Sequence, residues 1–293
     1  MELDLETLKV KLVSARDLLS IVKTMKSLSA VKVSRFEEAV TSLQDYHLIT
    51  EKAMIAFLNS PLIDEIIKRP VKRNKSIAII TGTDLGMVGN YNDELAQFVL
   101  KNTNRKKTKY WAFGEKILDE LKDNLIEVEK LYHTPDSLSS LTTEVTKLVN
   151  DLLKEPEIQY ELEIEVNLFH FSYERGMTYG TTTTRLLPLD QSWFKEQASR
   201  SWSSRIQPTV IYSDETILST LVKEVLFVKL FKSMAETIMA ENTARLRYMQ
   251  HAEKKIEESI DDLEYELRKT RQQKIDNELF EVIASYEALR KTT

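Results

Sequence analysis

Through residues 1–60 the apolar positions advance in steps of three and four: Leu5, Leu8, Leu12, Ala15, Leu19 and Val22, then Ser29, Val33, Phe36, Val40 and Leu43. That spacing of about 3.5 residues lays one narrow apolar seam along a helix. At the other end of the chain, Met249, Ala252, Ile256, Leu263, Leu267 and Thr270 keep heptad steps with Ile260 beside them. There Glu257, Glu258, Asp261, Asp262, Glu264, Lys269 and Arg271 occupy the remaining faces. Each stripe is too narrow to be covered except by another helix, and the two lie at opposite chain ends. The simplest solution is an antiparallel coiled coil of long N- and C-terminal helices.

Glycine and proline usage strengthens this. All six glycines and all six prolines fall between Pro61 and Pro208, so neither flank contains a helix breaker. Ser213 reads as the N-cap of the second helix, with Asp214 and Glu215 in its first turn ahead of Ile217. Unbroken, that helix would run on the order of 100 to 130 Å, against about 50 Å for a compact globule of this chain length. The expected division is residues 1–60 as the first coiled-coil helix, 70–212 as a central domain and 213–293 as the second helix.

The period changes in the middle. Residues 76–81 (SIAIIT) form an apolar run ending at Gly82, a polar helix follows over 91–100, and residues 110–113 (YWAF) stop at Gly114. This is strand, helix, strand. Residues 115–121 continue as helix, 126–131 as strand and 136–153 as helix. Residues 161–170 alternate acidic with apolar positions as a half-buried strand does, and 178–187, rich in threonine, reads as its neighbour across a turn at Arg175-Gly176. The fold class is therefore α/β, a Rossmann-like domain inserted between the two halves of a coiled coil.

Composition limits the chemistry. A formal charge of −5 argues against general nucleic-acid binding, the basic cluster Arg105, Lys106, Lys107 and Lys109 notwithstanding. The absence of cysteine removes disulfides, thiolate metal sites and thiol nucleophiles. Four scattered histidines leave little room for a metal site, and no cofactor is expected. Lysines interrupt the apolar runs, so no segment approaches the roughly 20 apolar residues of a membrane span. An N-terminus carrying Glu2, Asp4 and Glu6 is also unlike a targeting peptide.

The one glycine-rich loop, residues 81–92, lies between a strand and a helix as a nucleotide-binding turn does. It lacks the lysine and hydroxyl residue of a phosphate loop, and Gly82, Gly86 and Gly89 miss the dinucleotide spacing. It is read as a structural loop in which Asp84 caps or turns the backbone. Neither the histidines nor the pairs Glu257-Glu258 and Asp261-Asp262 form a catalytic constellation, since adjacent helical residues diverge by about 100°. For Lys23, Lys26, Lys32 and Arg35 two readings stay open. They are a solvated face, or they mark a partner other than the opposing helix, because Lys26 and Ser29 stand in mid-seam where large apolar residues are expected.

Three segments resemble the gamma subunit of rotary F-type ATP synthases, and the likeness extends over nearly the whole chain. They are residues 21–32 (IVKTMKSLSAVK), the loop 83–92 (TDLGMVGNYN), and 240–249 (AENTARLRYM) together with 267–279 (LRKTRQQKIDNEL). Residues 186–189 (LLPL) are similar to the family's end of a central strand. Leu85, Val88, Asn90 and Asp276 depart from the family's usual residues, which fits a divergent branch such as the alternate, sodium-type ATPases. The resemblance implies a central rotor shaft inside a ring of three alpha and three beta subunits, with an epsilon-type subunit and the membrane c-ring at its foot. It implies catalysis on beta rather than on this chain, and a peripheral place on the cytoplasmic face of a bacterial or archaeal membrane through the c-ring. Carried over residue by residue, it implies that Arg271, Gln272, Ile275 and Glu278 contact the ring near the shaft's end. Lys23, Met25 and Lys26, with Arg245, would lie against an acidic segment of beta. The competing readings are a free-standing coiled-coil α/β interaction module, an enzyme acting at the glycine loop, and a gamma-like subunit of a specialised ATP-driven motor.

Overall fold

The computed structural model describes residues 5–58, 75–155, 158, 164–174, 178–188 and 213–291. Along the chain these form α1 (Leu5–Leu58), β1 (Lys75–Thr81), α2 (Tyr91–Asn102), β2 (Thr108–Phe113), α3 (Glu115–Asp123), β3 (Val128–Tyr132), α4 (Leu138–Lys154), β4 (Ile164–Glu174), β5 (Thr178–Leu187) and α5 (Asp214–Lys291). Two compact units result, residues 1–29 with 245–293 and residues 30–244. Their boundaries fall inside α1 and α5, so each long helix contributes to both.

In the first unit the expected seam is present. Leu8, Leu12 and Val22 are buried on α1 with Ala15 and Leu19 half-buried, and they face Met249, Ala252, Ile256, Ile260, Leu263 and Leu267 of α5. Most of the seam is half-buried because a two-helix pair shields each stripe from one side only. Arg16 pairs with Glu264 at 2.8 Å, Lys23 with Glu257 at 3.0 Å and Lys26 with Glu253. These partners descend α5 as they ascend α1, so the helices run antiparallel.

The second unit is built on a five-stranded sheet in the order β3-β2-β1-β4-β5. The first four strands are mutually parallel, and β5 returns antiparallel to β4. Strand alternation sends Ile77, Ile79, Trp111, Phe113, Val166 and Leu168 to one face, under α4 and the segments of α1 and α5 around Phe36 and Leu226 to Met239. The other face, with Ala78, Ile80, Ala112 and Phe171, packs under α2 and α3.

Two boundaries differ from the sequence pattern for local reasons. β3 begins at Val128 rather than at residue 126 because α3 closes in a Schellman turn: Leu125 takes φ 59°, its N–H donates to the Lys122 carbonyl, and the Ile126 N–H donates to the Leu121 carbonyl. Helix α4 begins at Leu138 rather than 136 because Ser137 is its N-cap, in a reciprocal capping box with Ser140. Ser213 precedes α5, its carbonyl accepting from the Ile217 N–H and its hydroxyl meeting Thr216 at 2.8 Å. The expected turn at Arg175-Gly176, and residues 161–163 of the strand expected over 161–170, lie outside the described residues.

His170 on β4 is buried, and its Nδ1 lies 3.1 Å from the Phe171 carbonyl. A carbonyl only accepts, so Nδ1 carries the proton, and in the neutral ring Nε2 accepts from the Thr184 hydroxyl at 2.8 Å. Burial lowers the pKa of this imidazole from 6.5 to about 4. The unfolded chain therefore takes up a proton near pH 6.5 that the folded chain takes up only near pH 4. Stability should fall as pH drops through that window, His170 contributing up to about 3 kcal/mol of the loss. Urea denaturation at several pH values should show a shallower slope there for His170→Gln. Gly114 stands at φ 104°, and an added Cβ would lie 2.6 Å from the Thr83 backbone. Gly114→Ala should cost about 1 to 3 kcal/mol in the same measurement.

Candidate partner-contact surface

In an open α/β sheet, ligands enter where the strand order reverses, beyond the carboxyl ends of the strands. Here that point is between β1 and β4, and the chain fills it with its own helix. The Thr81 hydroxyl at the end of β1 donates to the Phe169 carbonyl and lies 3.2 Å from the Thr237 hydroxyl of α5. The Tyr91 hydroxyl donates to the Thr237 carbonyl at 3.2 Å, and the Tyr91 ring stacks on Phe171 at 3.9 Å. Ala240 and Ala244 pack in the same cluster. Small residues at these α5 positions let the helix approach the strand ends closely.

The glycine-rich loop is likewise committed to internal contacts. Asn92 accepts from the Thr83 N–H at 3.1 Å and donates to the Thr83 hydroxyl, which donates in turn to the Leu85 carbonyl. Asp84 accepts from the Glu115 N–H at the start of α3 at 2.9 Å, and from both the N–H and the hydroxyl of Thr134 at 2.8 and 2.7 Å. Gly82 has no room for a side chain, since a Cβ would lie 2.3 Å from that of Ile117. The loop thus ties β1 to α3 and to the segment after β3, in keeping with a structural role.

Two of the mid-seam lysines make ion pairs with the opposing helix, which neither reading foresaw. Lys26 pairs with Glu253, and Lys23 lies 3.0 Å from Glu257 and 3.9 Å from Glu253, so both cross to the opposing helix. With the buried Ser29, they replace apolar packing by ion pairing along this part of the seam. Met25 is half-buried beside them. Arg245, which the resemblance places in the same contact zone, is only 5 % exposed in this chain.

Farther along α5 the character of the surface reverses. Every described side chain of residues 271–286 is exposed, including Arg271, Gln272, Ile275 and Glu278. Ile275, Leu279, Val282 and Tyr286 recur in steps of four, three and four, and each is more than half exposed. They form an apolar stripe with no described α1 residue opposite, because the register of the ion pairs sets Leu5, where α1 begins, about level with Ile275. On α1 itself, Val10, Val13, Leu18, Ile21 and Leu28 are also exposed, on the side away from the seam. The sequence pattern missed Val282, Tyr286 and this outer face; the heptad steps from Ile275 to Val282 and from Leu279 to Tyr286 were the available signal for the first two.

A family profile described as ATP synthase matches residues 4–289. The ATP synthase gamma chain of Bdellovibrio bacteriovorus is 25% identical over 301 residues, covering 98% of this chain and 99% of that protein. The gamma chain of Sulfurovum sp. is 25% identical over 309 residues with the same coverage. Among solved structures, a chain of the Euglena gracilis mitochondrial ATP synthase, from its OSCP/F1/c-ring in rotational state 3, superposes with a TM-score of 0.68 at 15% identity. It covers 97% of this chain and 94% of its own. A chain from the rotor of the same complex, in rotational state 1, gives a TM-score of 0.66 at 16% identity. The chain belongs to the ATP synthase gamma family.

The crossed ion pairs predict a measurable coupling. In a double-mutant cycle on urea-denaturation free energies, Lys26→Met and Glu253→Gln should couple by about 1 kcal/mol, falling with added salt. Additive effects would mean that the pair does not join the helices.

Proposed function

We propose that this gamma-family chain, a rotor subunit of a rotary ATP synthase, works as the central shaft of an F-type enzyme and itself carries out no chemistry. In this reading three alpha and three beta subunits surround the helix pair, and the beta subunits hold the catalytic sites. An epsilon-type subunit and the c-ring attach at the sheet domain. The assembly sits on the cytoplasmic face of the membrane through the c-ring. Among the described residues no helix is long and apolar enough to cross a membrane.

The observation that carries this reading is the exposed apolar extension of α5 over residues 271–286 in a helix of 78 residues. An exposed, continuous apolar stripe marks a partner surface, and this one is flanked by Arg271 and Glu278, which can hydrogen-bond polar groups around it. A shaft acts by touching different catalytic subunits with different faces, so that its angle sets which nucleotide affinity each adopts. That is coupling by differential contact. The occupied crevice at Thr81 and Thr237 fits the same role, since it mounts the sheet on α5 where a nucleotide would otherwise bind. Lys23 retains 49 % side-chain exposure beside Glu257, enough to meet an acidic segment of a partner as well as its own helix pair. Met25 and Lys26 then act mainly by holding the two helices together at that level.

Co-expressed with the alpha and beta subunits of its own source, the chain should be recovered as one copy in a six-subunit ring by native mass measurement. Replacing Arg271, Gln272 and Ile275 together by Ala, Ala and Ser should reduce rotation-coupled ATP hydrolysis about tenfold, equivalent to about 1.4 kcal/mol of lost coupling. A chain that pairs only with itself, or coupling unchanged in the triple variant, would contradict the reading.

A further inference from the structure

Helix α2 ends at Asn102 and α3 at Asp123, both at the edge of the sheet where the parallel strands begin. The turns that lead from them into β2 and β3 lie side by side, and Arg105 of the first turn and Leu125 of the second line one groove. This edge is opposite the strand end at Thr81 that α5 occupies.

The first turn holds its cations outward. Asn104 accepts from the Lys106 N–H on its side chain at 3.2 Å and from the Lys107 N–H on its carbonyl at 3.0 Å, while the Lys107 carbonyl accepts from the Ser76 N–H at 3.0 Å. The backbone is thereby tied to β1. Arg105, Lys106 and Lys107 are all exposed, and among the described residues none of the three forms an ion pair. Lys101 and Lys122, in the last turns of α2 and α3, are exposed beside them. The acids at this edge are fewer: Asp123 and Glu127 are exposed, and Glu129 already has Lys109 at 3.8 Å. The second turn projects an apolar group instead. Its left-handed position, φ 59°, suits glycine or asparagine, yet it carries Leu125, which at 87 % is the most exposed large apolar residue among those described.

We propose that this edge is a docking surface for an anionic phospholipid bilayer, with Arg105, Lys106 and Lys107 meeting the headgroups and Leu125 entering the boundary between headgroups and acyl chains. A cation held at an anionic bilayer surface contributes about a fivefold gain in partition, so three contribute about a hundredfold. The attraction fades over about 10 Å at 0.1 M salt, which these exposed side chains are placed to satisfy. Leucine burial adds a part that charge cannot supply. A soluble polyanion would engage the same cations and leave Leu125 in water, so the leucine is what favours the bilayer. The inference rests on the two turns and is independent of the rotor reading.

The test is flotation of the full chain with phosphatidylcholine vesicles containing about 30 % phosphatidylserine, against vesicles of phosphatidylcholine alone. The chain should bind the anionic vesicles about a hundredfold more tightly, and less so as salt rises from about 0.05 to 0.5 M. Replacing Arg105, Lys106 and Lys107 together by glutamine should remove that preference. Leu125→Asn, which suits the left-handed φ, should weaken binding about threefold with the salt dependence unchanged, circular dichroism confirming the fold of both variants. Equal binding to the two vesicle types, or an undiminished preference in the triple variant, would overturn the proposal. So would full binding by Leu125→Asn, which would assign the cations to a soluble polyanion.

Discussion

A helix of 78 residues cannot be held by backbone propensity alone, because most helical stability in proteins comes from burying an apolar stripe against a neighbour. Helix α5 meets this constraint differently along its length. From Leu226 to Met239 it packs on the sheet. From Met249 to Leu267 its stripe faces α1. Beyond Arg271 its apolar residues face solvent. The rest of the chain can be understood as what covers, or leaves uncovered, each stretch of this helix.

Seen this way, the sheet domain has lost the opening that its strand order would provide. The reversal between β1 and β4 is where related architectures hold a ligand, and Thr237, Ala240 and Ala244 fill it here. Thr81 and Tyr91, which in another protein would face a cofactor, are instead hydrogen-bonded to a helix. The domain's binding capacity has become a means of attachment, as a load-transmitting part requires. The ion pairs at Lys23 and Lys26 serve the helix pair similarly: they hold the helices where the seam is thinly apolar.

Much of this was legible in the sequence because the relevant signals are local and periodic. The heptad steps of Leu5 to Val22 and Met249 to Thr270 define the seam, and the run of short apolar segments between glycines defines β1 and β2. The glycine-rich loop was legible as structural from what it lacks, and Asp84 does cap the next helix. Other features depend on distant residues. Nothing near Lys26 in the chain reveals that Glu253 faces it, and the charge of Arg245 gives no sign of its burial. The start of β3 was displaced by the positive φ of Leu125, a conformation that leucine rarely signals in advance.

The central claim is that the uncovered end of α5 is a surface made for partners. Amide hydrogen exchange over residues 271–286, compared between the full chain alone and the same chain assembled with its alpha and beta subunits, tests this most directly. The account predicts fast exchange in the free chain, where the described residues leave this part of the helix exposed, and slowing by at least about tenfold on assembly. Equal exchange rates over that segment in the two states would contradict it.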